Sequence, residues 1–172
     1  MKLKTFILLL VIVIAATAIA NVIIKRPVCI FGPEEENETI TRTVKLYYYN
    51  QELDKDESGN ISCSRAGLVP LEREIVWSKT PIQDAINLLL KGELTEAERA
   101  SGITTEYPLE GVSLKGASLN EGVLTLEFND PNNRTGGGSC RVGILWFQIE
   151  ATARQFPEVE QVKFIPEELF QP

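Results

Sequence analysis

The most regular pattern of apolar residues in the chain lies between Ser139 and Phe156. Apolar or small residues recur there every three or four positions, which is the spacing of one face of an α-helix. They are Val142, Leu145, Trp146, Ile149, Thr152, Ala153 and Phe156. Ser139 can cap the first turn, and Pro157 ends the helix because it lacks an N–H for the hydrogen-bond ladder. A β-rich run over 159–165 follows, so the pattern predicts a long helix that docks on a sheet.

Capping signals predict two further helices. Thr80-Pro81-Ile82-Gln83 is a capping box with proline at the first helical position. Its apolar face comprises Ile82, Ala85, Ile86, Leu89 and Leu90 and stops at Gly92. Thr95-Glu96-Ala97-Glu98 repeats the capping signature and predicts a short helical turn that ends near Gly102.

Strict alternation of apolar and polar residues predicts strands. Residues 43–49 alternate in this way, and 112–119 and 123–128 form a hairpin with Gly122 in its turn. Residues 68–77 are expected to be extended, with Pro70 at an edge or outside the ladder, and 129–138 to be a mobile loop. We therefore expect an α+β fold of the α/β sandwich type. A mixed sheet of about four strands carries two helices on one face in the order β-α-β-β-α-β, plus an N-terminal transmembrane helix.

The amino-terminal segment Thr5–Ile24 is 20 residues long and almost wholly apolar. At about 1.5 Å per residue it reaches about 30 Å, enough to span a bilayer. Ala18-Ile19-Ala20 also resembles a signal cleavage site, but the apolar run continues past it, which favours an uncleaved anchor. We expect a membrane anchor over 1–26, an acidic flexible stalk over 27–42 and a domain over 43–172 outside the cell membrane. The alternative is secretion after cleavage near Ala20.

The charge distribution argues against nucleic acid as a partner. From Pro27 onward the chain has 13 basic and 24 acidic residues, a net charge of −11 (13 minus 24). Phosphates would be repelled by this charge.

Three cysteines are present, of which Cys29 lies in the stalk. Cys63 and Cys140 remain in the domain, and a pair in an exported domain favours a disulfide. Closing a loop of about 77 residues would stabilise the fold by about 4 kcal/mol. Two separately buried thiols are the alternative.

The sequence contains no histidine, which removes the usual hydrolase triads and most catalytic zinc sites. Glu72 with Glu74, or Glu96 with Glu98, could form a glycosidase pair, but both pairs lie where charge is solvated. Asp54, Asp56, Ser58 and Gly59 match the opening of a calcium loop, yet Arg65 stands where its closing acid belongs, which favours a solvated loop. Residues 135–139 with Arg141 could hold an anion, but an N-cap after a flexible loop fits better. We predict no catalytic residue, cofactor or metal.

Four segments together resemble the GerMN domain of sporulation and spore germination proteins. They are LYYY in the first strand, the helix from Thr80-Pro81, the hairpin at Asn120-Glu121-Gly122, and Gln148–Pro157 leading into Val159–Ile165. The resemblance covers about 44–165. It implies an exported, membrane-anchored bacterial α/β domain, similar in fold to the ring-building modules of large envelope assemblies and without known catalytic residues.

These observations favour a non-enzymatic module that contacts protein partners of the cell envelope or other copies of itself. Tyr47, Tyr49, Trp77 and Arg141 are the candidates for its interaction surface, although aromatic residues more often belong to the core or cover a sheet. The alternative function is binding of a cell-wall polymer or a small molecule, and a carboxylate-based wall hydrolase fits less well.

Overall fold

A computed structural model describes residues 40–171, which form one α+β unit. The strands are β1 (Thr41–Tyr49), β2 (Leu68–Val76), β3 (Ser113–Asn120), β4 (Val123–Asn129) and β5 (Gln161–Ile165), and the helices are α1 (Pro81–Leu90), α2 (Glu96–Ala100) and α3 (Ser139–Arg154). Single 3₁₀ turns occupy Gln51–Leu53 and Arg65–Gly67. The expected anchor over 1–26 and most of the stalk lie outside the described residues. Within 40–171, no helix has the length and apolar character to cross a bilayer.

The strands form two sheets rather than the single mixed sheet of about four strands that the sequence predicts. β1 and β2 make an antiparallel ribbon, paired from Thr41 opposite Val76 to Tyr49 opposite Leu68. In the second sheet, ordered β3-β4-β5, β3 is antiparallel and β5 parallel to β4. The predicted element order was wrong because residues 68–76 pair with β1 along their whole length, giving β-β-α-α-β-β-α-β.

The outer edge of β1 is occupied by side chains, which is why its ladder does not continue into the second sheet. The backbone N–H of Lys45 donates to Gln155 Oε1 at 2.7 Å, and that of Tyr47 donates to Thr152 Oγ1 at 3.0 Å. Thr104 pairs with Tyr49 through two backbone hydrogen bonds at the end of the strand. These contacts satisfy donors that an edge strand would otherwise leave open.

Pro70 fits in β2 because of its register. It lies opposite Tyr47, whose N–H points away from β2 toward α3. In an antiparallel pair the two opposed residues share this orientation, so the nitrogen of Pro70 also faces away from β1. The ribbon therefore loses no hydrogen bond to the proline, as the sequence predicts for an edge position.

The core lies between the helices and the strands. α1 and α3 contact each other and β1, while α1 also packs on β3 and α3 on β5. The predicted apolar face of α3 is confirmed, since its members other than the half-buried Trp146 are buried. An aromatic cluster closes the core beside β4 and β5, with Phe128, Phe164 and Phe170 rings 4.8–6.0 Å apart.

Some of the predicted turns and helix caps are confirmed and others are wrong. Glu121 and Gly122 both have positive φ, +47° and +79°, which is the two-residue hairpin turn that Gly122 predicts. The capping box at Thr95 is present. The one predicted at Thr80 is wrong: its side chain caps nothing, and Ser78 Oγ instead accepts from the Thr80 N–H and donates to Asp84. Ser139 is the first helical residue of α3 rather than its cap.

Candidate functional site

The four residues expected on an interaction surface lie in different places. Trp77 follows β2 at one end of the ribbon, where the guanidinium of Arg42 stacks 3.9 Å from its ring. Tyr47 is half-buried opposite Pro70. Tyr49 is only 4% exposed and lies at the other end of the ribbon. For Tyr49 the core alternative therefore holds, and the four residues do not form one continuous aromatic surface.

Tyr49 and Arg141 do meet at one feature, a groove of about 530 Å³. The first three turns of α3 form its floor, and its walls come from the end of β1, the 51–61 loop and the segment after α2. The lining residues are Tyr49, Gln51, Ile61, Thr104, Thr105, Glu106, Gly138, Ser139, Cys140, Arg141, Ile144 and Gln148. Three stretches that are distant in sequence, 49–61, 104–106 and 138–148, thus build the groove.

A buried carboxylate holds the β1 side of this groove. Asp54 is 3% exposed and accepts hydrogen bonds from the Tyr49 hydroxyl, at 2.5 Å, and from the backbone N–H and hydroxyl of Ser64. Burial raises the pKa of Asp54, but the donors Ser64 and Tyr49 outweigh it and leave the pKa below its usual value. Gly67 lets the Tyr49 ring approach, since a Cβ there would lie 2.4 Å from it.

The predicted disulfide is present and joins the two sides of the groove. Cys63 and Cys140 are linked with their Cα atoms 5.1 Å apart. Cys63 lies two residues after the 51–61 loop and has a positive φ of 52°, and Cys140 lies in the first turn of α3. The crosslink therefore fastens the loop to the amino terminus of the helix.

Residues 129–138, which the sequence predicts to be a mobile loop, fold around Asp130. Its carboxylate accepts from the N–H of Arg134 at 2.8 Å and from the N–H and hydroxyl of Thr135. These donors outweigh burial and lower the pKa of Asp130. Arg141 ties the loop to α3 by donating to the carbonyls of Arg134 and Gly136. The mobility of this loop stays a prediction, and no pattern in the sequence signalled these side-chain acceptors.

Arg141 is positioned rather than free. Its Nε donates to Glu106 at 2.6 Å, and its Nη1 donates to the two loop carbonyls. Among the described residues Nη2 has no acceptor. Arg141 thus offers one nitrogen in a fixed orientation at the amino terminus of α3.

Gln148 lies deeper in the same groove, two turns further along α3. It is 1% exposed, and Thr105 Oγ1 lies 3.5 Å from its Oε1. Thr105 Oγ1 also accepts from the Tyr107 N–H, so Thr105 links the segment after α2 to the floor of the groove.

The residues that match the opening of a calcium loop form turns. Asp54 is buried as described, and Asp56 accepts from the N–H groups of Ser58 and Asn60, mainly the latter, which lowers its pKa. Gly59 has the positive φ of a turn glycine. The described part of the chain contains no cluster of three acidic, histidine or cysteine side chains suited to a metal ion.

The two candidate glycosidase pairs lie in different surroundings. Glu72 and Glu74 share the exposed outer face of β2. The Glu98 carboxylate accepts from the Thr95 N–H in the capping box and from Arg73 Nη2 at 2.8 Å. These contacts outweigh burial and lower the pKa of Glu98. Each carboxyl with a displaced pKa in the described region is displaced downward, whereas a general acid needs a raised pKa.

Sequence reasoning missed Thr105, Glu106 and Gln148 as groove residues. The first two lie in a segment without periodicity and carry no local signal. Gln148 had one, because its position on α3 is next to Ile149 and in line with Leu145 and Thr152, where apolar residues are normal. A glutamine at the margin of a buried helical face deserves inspection as a polar group that needs a partner.

Comparison with known proteins places the fold in a class. The family model Germane, described as sporulation and spore germination, matches residues 45–167, well over half of the chain. The chain therefore belongs to the Germane family, and the resemblance to GerMN domains drawn from the sequence is confirmed. No curated protein matches the chain in sequence.

A similar solved structure contains the tandem GerMN domains of the sporulation protein GerM from Bacillus subtilis. The TM-score is 0.50 and the sequence identity 23%, with 78% of this chain and 42% of that chain covered. This chain thus spans less than half the length of the tandem structure. The likeness supports a shared fold.

Proposed function

We propose that this protein is a non-enzymatic interaction module, held outside the bacterial cell membrane by Thr5–Ile24, and that it works by contact with envelope proteins or with copies of itself. The observation that carries the proposal is the groove, which is built by three stretches distant in sequence and fixed by one crosslink, while the surrounding carboxylates accept structural hydrogen bonds. A rigid, open concavity without a poised acid suits recognition rather than catalysis.

The crosslink also supports the location. Cys140 is exposed, and an accessible disulfide is stable in an oxidising compartment outside the cytoplasm. Membership of a family named for sporulation and germination agrees with an envelope role.

A photocrosslinking amino acid at Gln51, an exposed residue on the groove wall, tests the contact function in the native membrane. The matched control places the same group at Lys163, an exposed residue of β5 outside the groove. We expect a recurrent adduct of defined mass from position 51 and none from position 163. Monomer alone from both positions, or the same adducts from both, would contradict a contact function at this end of the domain.

Extraction of membranes with alkaline carbonate tests the anchor. The full chain is expected in the membrane pellet, and a chain that lacks residues 1–26 in the supernatant. Release of the full chain by carbonate would contradict anchoring and favour secretion after cleavage near Ala20.

A further inference from the structure

The β1–β2 ribbon ends in an apolar tip, which consists of Ile40, Val76 and Trp77. Ile40 is 64% and Val76 60% exposed, the two highest values among the large apolar side chains of the described region. They are neighbours, because Val76 lies opposite Thr41 and the Trp77 N–H donates to the Ile40 carbonyl at 2.7 Å. The core stops one position earlier, at Ile75, which is 8% exposed. Exposed apolar surface is therefore concentrated just beyond the edge of the core.

The tip is apolar on both faces of the ribbon. Successive residues of a strand point to opposite faces, so Val76 lies on one face and Trp77 on the other. The guanidinium of Arg42 stacks 3.9 Å from the centre of the Trp77 ring. Among residues 40–171 Arg42 forms no ion pair, so a cation without an acidic partner accompanies the indole.

This combination of side chains is typical of a membrane–water interface. Tryptophan is enriched there because its ring is apolar while its N–H prefers polar surroundings. Arginine can lay its apolar stem along the hydrocarbon boundary and keep its guanidinium among the phosphates. The aliphatic side chains of Ile40 and Val76 add apolar area beside the ring. The tip therefore has the chemistry that suits the headgroup boundary of a phospholipid bilayer.

The size of the tip distinguishes a lipid surface from a protein partner. Stable protein interfaces use about 20–30 residues on each side. The tip offers three apolar side chains and one cation, and the exposed strand residues next to it, Thr41, Thr43 and Glu74, are polar. A second copy of the chain would bury too little surface here. A bilayer needs no matching surface, because the gain scales with the apolar area that enters it.

The connection to the rest of the chain supports the same occupant. Residues 25–39 join the tip to Thr5–Ile24, the segment that the proposed function assigns to the membrane. These 15 residues, 25 to 39, span at most about 50 Å when fully extended. A short flexible tether gives an effective concentration in the millimolar range. A contact too weak to recruit a free protein is therefore sufficient for a tethered one.

Charge limits which bilayer the tip can approach. Residues 40–171 contain 13 basic and 20 acidic side chains, a net charge of −7 (13 minus 20). A strongly anionic surface repels the domain as a whole, while Arg42 attracts a phosphate locally. Apolar contact must then supply most of the affinity, so a zwitterionic phospholipid surface is the appropriate probe.

We propose that the tip docks on the bilayer that holds the anchor. Ile40, Val76 and the Trp77 ring lie at the boundary of the acyl chains, and the Arg42 guanidinium donates to a lipid phosphate. This inference rests on the proposed anchoring and goes beyond it, because it assigns a second membrane contact to the folded domain itself.

Fluorescence quenching tests the proposal, since the chain has two tryptophans. Full-length Trp146→Phe protein, which retains Trp77 alone, is reconstituted in phosphatidylcholine vesicles with or without bromine on the acyl chains near the headgroup. We expect a loss of Trp77 emission in the brominated vesicles, because bromine quenches an indole that it contacts. Trp77→Phe protein is the matched control: its remaining Trp146 packs against Phe164 and should emit equally in both. Equal emission of Trp77 in both kinds of vesicle overturns the proposal.

Two variants test whether the tip itself makes the contact. Val76→Asp and, separately, Ile40→Asp are combined with Trp146→Phe, and each places a charge at a highly exposed position of the tip. We expect each to abolish the loss of Trp77 emission, because burying an unpaired charge is costly. Ile165→Asp, at a 48% exposed position of β5, is the control and should leave the loss unchanged. Quenching that persists in both tip variants, with melting temperatures unchanged, overturns the assignment.

The remaining outcomes separate this inference from the proposals around it. A chain that stays in the membrane pellet after carbonate extraction, but whose Trp77 is not quenched, rejects docking of the tip and retains the anchor. A full chain that carbonate releases overturns both. If Trp77 emission is independent of bromine but shifts to shorter wavelength as the protein density in the vesicles rises, a second copy covers the tip and the membrane assignment is overturned.

Discussion

The two ends of this domain are stabilised by different forces. Around β4 and β5 the interior is apolar and rich in aromatic rings, with Phe128, Phe164 and Phe170 in mutual contact. Around the groove, at the end of β1, the chain is held by carboxylates that accept several hydrogen bonds each and by a covalent crosslink. Apolar packing needs periodic elements, whereas the groove end is made largely of loops.

This difference explains where a binding surface can lie. A packed sheet presents few unsatisfied polar groups, because its strands bond to each other. Loops fixed by capping side chains leave helix termini and amide groups open at the surface while remaining ordered. The groove end is therefore ordered without being filled, which is the condition for recognition.

Removing an aromatic ring should have the largest effect on the packed end. Phe128→Ala deletes a side chain that is 2% exposed and contacts two other rings, and we expect the free energy of unfolding to fall by about 3–5 kcal/mol. Urea denaturation measures it. Ile165→Ala, at a residue 48% exposed on the same sheet, is the control and should change it by less than about 1 kcal/mol. Similar losses in both variants would mean that the cluster is not the stabilising core.

Opening the disulfide should have the next largest effect and act on the groove end. In Cys63→Ser/Cys140→Ser the free energy of unfolding is expected to fall by up to about 4 kcal/mol. Without the crosslink the 77-residue loop is no longer closed, so the unfolded chain gains conformational entropy. Hydrogen exchange of the amides in 51–67 should accelerate, while that of β4 should change only as much as global stability does. Equal local acceleration in β4 would remove the distinction between the two ends.

Loss of the Asp54 charge should have a smaller effect, confined to the groove. Asp54→Asn converts an acceptor of three hydrogen bonds into an amide that can accept fewer of them, at a cost of about 1–3 kcal/mol. Asp56→Asn, two residues away in an exposed turn, is the matched control and should cost less. The melting temperatures of the two variants give the comparison, and an Asp56 variant that is the less stable of the two would contradict it.

The smallest effect is expected from acid below about pH 4, again on the groove end. The pKa values of Asp54 and Asp130 are lower in the folded state, so each carboxyl contributes stability that is complete above its unfolded pKa of about 3.9. That contribution is lost as pH falls from there through the folded pKa. The free energy of unfolding measured from pH 6 to pH 2 should decline less steeply in Asp54→Asn. A parallel decline in both proteins would contradict the assignment.

The sequence predicted those parts of the fold that depend on periodic burial. The faces of α1 and α3, the hairpin at Gly122 and the disulfide pair were all readable, because each follows from spacing, turn geometry or cysteine arithmetic. The pairing of β2 with β1 was not, since no local signal distinguishes a ribbon partner from an isolated extended segment. The choice between one sheet and two depended on Thr152 and Gln155, which are remote from β1 in sequence.

Part of the candidate site could also not be predicted from local sequence patterns. Arg141 and Tyr49 were singled out by residue type, but the groove arises where β1, α3 and two loops meet. The residues that line it, and the hydrogen bonds that hold them, depend on segments that only the folded chain brings together. Asp130 illustrates this, because its carboxylate accepts hydrogen bonds from Arg134 and Thr135 inside a loop that its composition marks only as a series of turn formers.

The β1–β2 ribbon has a consequence for how copies of the domain could join. Side chains of α3 occupy the open donors of β1, and Pro70 deletes a donor from the outward side of β2. An incoming strand therefore meets donors already bonded at Lys45 and Tyr47 on the β1 side and a missing donor at Pro70 on the β2 side, which makes edge-to-edge pairing less favourable. In a polymer that includes this ribbon, contacts between side chains would then matter more than backbone pairing, and growth would be sensitive to single surface substitutions.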